Sequence, residues 1–391
     1  MVFQSVHIST RSLVLVAALA LVPALTAGAA QAVDQQVVVP AGADIQQAIN
    51  ANPEGTTFLL AAGIRSLSST LVPKDGDSFV GAGQGQTILQ AATSTINGFD
   101  SKSKVANVQI AGLTVHGFSQ GIRTGPGWNV QDVEAAYNVI GIHMYGDNVV
   151  VSGCHVHHNK QFGVHGTTSV GQQMLGSDVS YNHIDSSISS GYAGGAKWVS
   201  ATGVLVRGND IHDNYGNGLW LDIEVRDATV TGNSLHGNTD EGLRVEISSG
   251  VLVEGNLIEG NGSAAVDVVN SHDVIVRGNT LVASAAAIDV LRFLGNGRRK
   301  SSGVEYANVN NRAESNTITL VARAQRIGVV RSAGTSYGNG FTGNTYNVPS
   351  LTVTYFKWWD GVTQKRVVWS AWRAAYGQDS GGSVFLRSVG F

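Results

Sequence analysis

The chain has few of the residues that make covalent or ionic cross-links. It has 1 Cys in 391 residues, and charged residues make up only 14% of it. A single cysteine excludes a disulfide framework and any zinc site built from cysteines. The formal net charge of −3 argues against general binding to nucleic acid or to an anionic membrane. Stability must therefore come from a continuous core, for which 43% apolar residues suffice.

Long apolar runs are scarce as well. The one near the N-terminus covers residues 13–21, follows Arg11 and precedes the small-residue sequence Ala30-Gln-Ala32. This order is typical of a secretory signal peptide, and the run is shorter than a membrane span requires. No later segment contains about 18 consecutive apolar residues. The sequence predicts a signal peptide over residues 1–32 and a secreted, extracellular chain.

The chain is rich in glycine, with 49 residues, and some of these glycines mark an internal repeat. The glycines show no Gly-X-Y period, which excludes a collagen-like chain. Segments 149–159, 204–214, 228–238, 251–261 and 274–284 share the order apolar-x-Val-x-Gly, mostly followed by Asn. The anchor asparagines are Asn209, Asn233, Asn256 and Asn279, and weaker copies place Leu113, Val133, Cys154, Asn182, Asn316 and Asn344 in the same column. A period of 23 or 24 residues with short strands predicts a solenoid.

Alternation of apolar residues distinguishes strands from helices in this repeat. Residues five and three before each anchor are apolar, as in Val204 and Val206. Another aliphatic residue follows two after the anchor: Val156, Ile184, Ile211, Leu235, Ile258 and Leu281. A period of two interrupted by glycine predicts three short parallel strands per turn. The anchor asparagines would then stack at one bend and bond to each other, and Cys154 in that column would be a buried thiol.

This pattern resembles the right-handed parallel β-helix superfamily of pectate-lyase-like proteins, in a secreted member of bacterial type. The resemblance implies an all-β, single-chain solenoid over residues 33–348. It also implies an N-terminal capping helix, which the sequence places near Asp44–Ala51. Residues 349–391 contain four of the seven tryptophans and predict a C-terminal cap. Both ends need covering because an open turn exposes core and unpaired strand edges.

The outward face of one strand series carries the candidate chemistry. In segment 218–225 the alternation turns Leu219, Leu221, Ile223 and Val225 inward, and Trp220, Asp222 and Glu224 outward. Counting from the anchors predicts one outward column of Arg123, His143, His165, Trp220, Arg244, Asp267 and Asp289. Its neighbour would contain Tyr145, Asp222 and Glu246. A plain solvated sheet would more often carry Thr, Ser and Lys, and a surface ion-pair ladder is the structural alternative.

Asp222 and Glu246 are the predicted acid and base. Equivalent positions in adjacent turns start about 5 Å apart, a spacing at which two carboxylates can support glycoside hydrolysis. Arg244 would modulate their charge, and Trp220 would stack against a sugar. The predicted substrate-binding residues are Trp220, Glu224, His165, His143, Tyr145, Lys197 and Asp267. No cofactor is required, although Asp222, Glu224 and Glu246 could instead hold Ca²⁺.

The predicted function is cleavage of glycosidic bonds in a polysaccharide by a monomer. A hydrolase is favoured over a lyase because carboxylates outnumber placed bases, although Lys197, His165 or Arg244 could serve a lyase. Leu219-Trp-Leu-Asp222 is loosely similar to the Trp-Ile-Asp-His of pectate lyases, but Ile223 stands where the His would be. The Asp-Pro-His of mannuronan epimerases and the Gly-His-Gly of polygalacturonases are absent. A non-catalytic carbohydrate-binding scaffold and an epimerase stay open as alternatives.

Three weaker features complete the predictions. His116, His157, Asp185, His212, His236 and Glu259 each follow their anchor by three residues. Stacked imidazoles can bind a transition metal, although polar residues are also common at the bends of such coils. Two insertions, residues 186–198 and the basic loop 295–303, predict walls beside a binding cleft.

Overall fold

The computed structural model describes residues 35–387 of the chain. The predicted signal peptide, residues 1–32, lies outside this part. Residues 35–387 form a coil in which each turn contributes short strands to two 13-stranded sheets and one 12-stranded sheet. Neighbouring turns pair in parallel throughout the body of the coil, as in the pairs Val206–Val230 and Val230–Val253. The predicted single-chain parallel β-helix is therefore confirmed.

The bounds of the strands follow the three sheets. The first sheet consists of Gln36–Val39, Thr57–Leu60, Ser78–Gly81, Gln109–Ala111, Asn129–Gln131, Val150–Ser152, Gln173–Leu175, Leu205–Arg207, Thr229–Thr231, Leu252–Glu254, Ile275–Arg277, Arg312–Glu314 and Gly340–Thr342. The second consists of Gly63–Leu67, Thr87–Ala91, Thr114–His116, Glu134–Ala136, His155–His157, Asp178–Ser180, Asp210–His212, Ser234–His236, Leu257–Glu259, Thr280–Val282, Thr317–Thr319, Thr345–Val348 and Ser383–Leu386. The third consists of Phe99–Asp100, Gln120–Arg123, Ile140–Tyr145, Phe162–Thr167, Gly194–Val199, Asn217–Asp222, Leu243–Glu246, Val266–Val269, Asp289–Asn296, Arg326–Ala333, Phe356–Trp359 and Gln364–Val367. A separate two-stranded sheet contains Asn308–Val309 and Ser336–Tyr337.

The bend between the first and second sheets explains the repeated Gly-Asn pair. Gly208 and Gly232 have φ angles of 68° and 63°, a left-handed conformation that glycine adopts without steric cost. The asparagine that follows turns its side chain into the coil. Nδ2 of Asn209 donates to Oδ1 of Asn233 at 2.9 Å, and the same bond recurs through Asn256, Asn279, Asn316 and Asn344. The predicted stack of asparagines is confirmed.

A second asparagine ladder lies at the next bend and corrects one prediction. It contains Asn138, Asn159, Asn182, Asn214, Asn238 and Asn261. Asn182 belongs here, and Ser177 stands in the first column between Cys154 and Asn209. Ile184 is therefore not the aliphatic residue two after a first-column anchor, and it is 41% exposed. Ser177 follows Cys154 by the repeat interval, whereas Asn182 resembles an anchor only because asparagine also occurs at the second bend, five residues later.

Both ends of the coil are covered. The predicted N-terminal helix is confirmed as Ile45–Ala51, with Asp44 accepting a bond from the backbone N–H of Gln47, and it buries Ile45 and Ile49. At the other end the helix Trp369–Tyr376 buries Trp372 against Phe356, with ring centroids 5.0 Å apart.

The C-terminal segment also extends the coil and its ladder. The strand Ser383–Leu386 pairs with Thr345–Val348, so a strand lies beyond the predicted coil boundary at residue 348. Asp379 ends the first ladder, because its Oδ1 accepts from Asn344 and its Oδ2 accepts from Tyr346 and Trp372. Within residues 35–387, no helix is both long and apolar enough to cross a bilayer.

Candidate functional site

The outward face of the third sheet carries a continuous column of polar and aromatic side chains. In register from turn to turn, the column contains Asp100, Arg123, His143, His165, Lys197, Trp220, Arg244, Asp267 and Arg292. Lys197 belongs to this column, which counting missed because Lys197 lies within the predicted insertion 186–198, although the structure puts it on the strand Gly194–Val199. Asp289 does not belong to it. Where the strand Val266–Val269 pairs with Asp289–Asn296, Arg292 lies opposite Asp267 instead.

A cleft of about 440 Å³ opens over the middle of this column. Its floor includes Lys197, Asp222, Arg244 and Glu246, so the two predicted carboxylates line one cavity. Its lining also includes Tyr192, from the short 3₁₀ helix Ser190–Tyr192, and Arg298. These come from the two insertions that the sequence predicts as walls. The remaining lining residues are Gly191, Asn217, Trp220, Ile223, Asp240 and Glu241.

Trp220 does not offer the predicted stacking platform. Its neighbours in the column cover it, with Nζ of Lys197 3.3 Å and Cζ of Arg244 5.6 Å from the ring centroid. Only 7% of the residue is exposed, and cation–π attraction holds the two cations over it. Its Nε1 is buried and has no hydrogen-bond partner. The aromatic residue free to contact a ligand at this cleft is Tyr192, which is 70% exposed.

Each of the two predicted carboxylates is paired with a cation. Nζ of Lys197 lies 2.8 Å from Asp222, and both side chains are buried. Glu246 binds Nε of Arg244 at 3.0 Å and Arg298 at 3.1 Å. Burial alone would lower the pKa of Arg244, but Asp267, Glu246 and Glu241 together raise it, so its charge is permanent. Arg298 is half exposed and reaches Glu246 from the basic loop.

Glu241 is a carboxyl group that the sequence reasoning missed. It lies just before the strand Leu243–Glu246, is 8% exposed, and lines the same cleft. Burial raises its pKa, and the nearby Asp267 raises it further, while Arg244 at 3.6 Å opposes them. A buried carboxyl with a raised pKa can hold a proton and donate it. The repeat predicts which strand residues point outward, but it makes no prediction for a residue at the bend before the strand, such as Glu241.

Glu224 lies apart from this cleft. The strand ends at Asp222, and Ile223 and Glu224 have φ angles of 46° and 64°, which breaks the alternation that would have turned Ile223 inward. Ile223 is 39% exposed, and Glu224 pairs with Arg226 and Lys300 beside a separate cavity. Among the described residues, Asp222, Glu224 and Glu246 are not a group with ligand atoms within 4.8 Å of one another. The calcium site stays a prediction.

The other predicted binding residues lie outside the cleft lining. Asp267 has no exposed surface and is held by both Nε and Nη2 of Arg292, so a substrate cannot touch it. His143 bonds to Gln120 and Thr167, and burial followed by the charge of Arg123 lowers its pKa to about 4.

His165 and Tyr145 continue the same face toward the N-terminal end of the coil. Burial, followed by His143 and Lys197, lowers the pKa of His165 to about 3. A neutral imidazole with so low a pKa is a weak base, so His165 does not suit the lyase role considered from sequence. Tyr145 lies under the guanidinium of Arg123, which is 4.4 Å from the ring centroid.

Comparison with known proteins identifies the fold. A family model described as "Right handed beta helix region" matches residues 101–281 and again residues 175–346, which together exceed half of the chain. No curated protein sequence matches the chain.

Solved structures with the same fold have low sequence identity to this chain. The A-module of mannuronan C-5 epimerase AlgE6 from Azotobacter vinelandii is 21% identical, with a TM-score of 0.62 over 90% of this chain and 97% of that one. The AlgE4 A-module from the same organism is 20% identical, with a TM-score of 0.57 over 79% and 91%. The Dettilon tailspike protein is 15% identical, with a TM-score of 0.62 over 78% of this chain and 64% of the tailspike. At these identities the likeness establishes the fold alone.

Proposed function

The chain belongs to the right-handed β-helix family, and from this premise we propose that it is an extracellular enzyme that cleaves glycosidic bonds in a polysaccharide. The observation that carries the proposal is the cleft on the third sheet, where Glu241 and Asp222 line one cavity with three cations. The cleft lies on a column of outward polar side chains that continues across several turns, so a polymer could extend along the coil beyond the cavity. Two structural relatives are named as mannuronan epimerase modules, so polysaccharide chemistry occurs on this fold.

Glu241 and Asp222 would divide the acid and base roles. Glu241, whose pKa burial raises, donates its proton to the glycosidic oxygen as the bond to the anomeric carbon breaks. Asp222 takes a proton from the attacking water, and Lys197 at 2.8 Å orients its carboxylate. The products are a new reducing end and a free hydroxyl, and both carboxyl groups then exchange protons with solvent.

The remaining residues of the cleft would bind the sugars. Glu246 is held between two guanidinium groups and would accept hydrogen bonds from sugar hydroxyls. Tyr192 replaces Trp220 as the stacking platform because it is the exposed aromatic residue of the lining.

The test is incubation of the mature protein with a panel of neutral and uronate-containing polysaccharides. Wild-type protein should release reducing ends, and Glu241→Gln and Asp222→Asn should each lower the rate roughly 10²- to 10⁴-fold. Glu254→Gln and Asp210→Asn are matched controls on the first and second sheets and should leave the rate unchanged. Full activity in both cleft variants would show that the chemistry lies elsewhere.

A lyase is the second candidate, and the position of Lys197 favours it. Lys197 lies in the cleft between Trp220 and Asp222, where, after losing its own proton, it could remove a proton beside a uronate carboxylate that Arg298 neutralises. A lyase would generate an unsaturated product that absorbs ultraviolet light, whereas a hydrolase generates reducing ends alone. Binding without turnover would indicate a carbohydrate-binding scaffold, and altered sugar composition without chain cleavage would indicate an epimerase.

A further inference from the structure

Histidines are concentrated on the second sheet, away from the cleft. Five lie on its strands, and their positions are His116, His155, His157, His212 and His236. The register confirms the predicted column of His116, His157, His212, His236 and Glu259. Asp185 is the exception, because Ser180 occupies its place between His157 and His212. The proposed hydrolysis uses none of these residues.

Three side chains converge at one point of this sheet. Glu134 and His155 are direct neighbours on adjacent turns, and His157 follows on the same strand as His155. Each of the three offers a ligand atom within 4.8 Å of the other two. The rings of His155 and His157 have centroids 4.0 Å apart. Within residues 35–387, no other group of three His, Cys, Asp or Glu side chains meets this distance.

The distance between Glu134 and His157 matches the edge of a coordination tetrahedron. Nε2 of His157 lies 3.2 Å from Oε1 of Glu134. Two ligand atoms each about 2.0 Å from a tetrahedral zinc ion are about 3.3 Å apart. A zinc ion could therefore bind both atoms with little movement of either side chain.

Neighbouring groups hold the ligands in place. Thr114 donates to Oε2 of Glu134 at 2.6 Å, which leaves Oε1 for an ion. Nδ1 of His157 lies 2.8 Å from Nδ1 of His158, so one of them carries a proton that the other accepts. Asp178 lies 3.8 Å from Nε2 of His155. Partners of this kind orient imidazole and carboxylate ligands in metal sites.

We propose that Glu134, His155 and His157 bind one divalent transition-metal ion of the zinc class and that the ion joins two adjacent turns of the coil. Two imidazole nitrogens and one carboxylate oxygen form a donor set that zinc accepts, with water in the fourth position. The side chain of His155 is 43% exposed, so an ion can enter from solvent. Because the site lies on the second sheet, it is independent of the proposed glycosidic cleavage.

His212 and His236 provide the matched comparison. Their rings stack with centroids 4.9 Å apart. His212 contacts Asp213 and Asp178 through different ring nitrogens, and His236 contacts Asp210, so no three ligand atoms lie within 4.8 Å of one another in this described part of the sheet. Comparing these two histidines with His155 and His157 therefore tests whether three converging ligand atoms, and not merely several histidines on one sheet, are needed to bind the ion.

The test is calorimetric titration of zinc into metal-free protein that carries no polyhistidine tag. Wild-type protein and His236→Ala should bind one zinc ion per chain, and zinc should raise the melting temperature of both. Glu134→Gln, His155→Ala and His157→Ala should weaken binding at least about tenfold and abolish the rise. Equal melting temperatures of all variants in chelator would show that the fold is intact.

Two outcomes would overturn the site. One is the absence of zinc binding by folded wild-type protein. The other is unchanged binding in His155→Ala and His157→Ala, above all if His236→Ala loses it. Neither outcome bears on polysaccharide cleavage, so the two proposals fail separately.

Discussion

Two columns of polar side chains run along the coil, and they are held together in opposite ways. The first asparagine ladder repeats one residue from Asn209 to Asn344, and each amide donates to the next at 2.9–3.0 Å. The outward column of the third sheet changes residue at almost every turn, as in Arg244, Asp267 and Arg292. Both columns place equivalent positions at the same strand spacing, about 4.8 Å.

The chemistry of the two groups explains the difference. A neutral amide both donates and accepts, so identical amides can stack without limit. Identical charges at that spacing repel one another, so a charged column must alternate or include neutral rings. A group left without a full counter-charge in such a column becomes a candidate for function. Glu241, with its raised pKa, lies beside the column where this occurs.

The largest expected effect comes from interrupting the ladder. Asn256→Leu removes the hydrogen-bond partner of the backbone N–H of Asn233, of the side-chain amide of Asn233 and of the carbonyl of Val230. Three buried polar groups at roughly 1–3 kcal/mol each should lower the free energy of unfolding by about 5 kcal/mol. Denaturant titration measures this, and Asn50→Ala, on the exposed face of the N-terminal helix, is the control. A loss no larger than that of the control would mean that the ladder is not structural.

The buried ion pair of the outward column should behave differently. Lys197→Met leaves Asp222 buried without its cation and should cost about 3–5 kcal/mol of unfolding free energy. Lys197→Met combined with Asp222→Leu should recover most of that loss, because two apolar groups need no counter-charge. In the ladder, replacement of both Asn256 and Asn279 by leucine should instead lower the free energy of unfolding further than Asn256→Leu alone. A double variant of the ion pair as unstable as Lys197→Met alone would remove the distinction between the columns.

A smaller effect should come from the neutral rings of the column. His143 has a pKa of about 4 in the folded chain against its usual 6.5, mainly because it is buried. The unfolded chain therefore takes up a proton first as the pH falls. Stability is complete above pH 6.5 and should decrease by roughly 3 kcal/mol between that pH and 4. His143→Gln should reduce the pH dependence in urea titrations across that range and leave the part that His165, with a pKa of about 3, contributes. An unchanged pH profile in the variant would contradict the assignment.

Prediction from sequence succeeded where one residue type repeats at a constant interval. The Gly-Asn pairs predicted the coil, its first bend and the column that joins Arg123 to Asp267, since each anchor implies the positions counted from it. Prediction failed for Asn182 and Ile184 because an asparagine also marks the second bend, five residues after the first anchor column. It failed for Asp289 because extra residues before the strand Asp289–Asn296 shift the count, so that Arg292 lies opposite Asp267.

The composition of the site depended on features that counting cannot detect. Glu241 lies at a bend and Tyr192 on an insertion, so neither occupies a repeat position. Trp220 was placed correctly on the outward face, but its environment was not foreseen, because Lys197 reaches it from another turn.

The sequence by itself determined the solenoid, because hydrogen-bonding amides and alternating apolar residues act at fixed short intervals along the chain. Only the tertiary structure decided which outward groups are covered, paired or protonated. Many of those properties arise between side chains of different turns, as for Lys197 with Asp222 and Asp267 with Glu241, where burial and neighbouring charge, rather than residue type, set the chemistry.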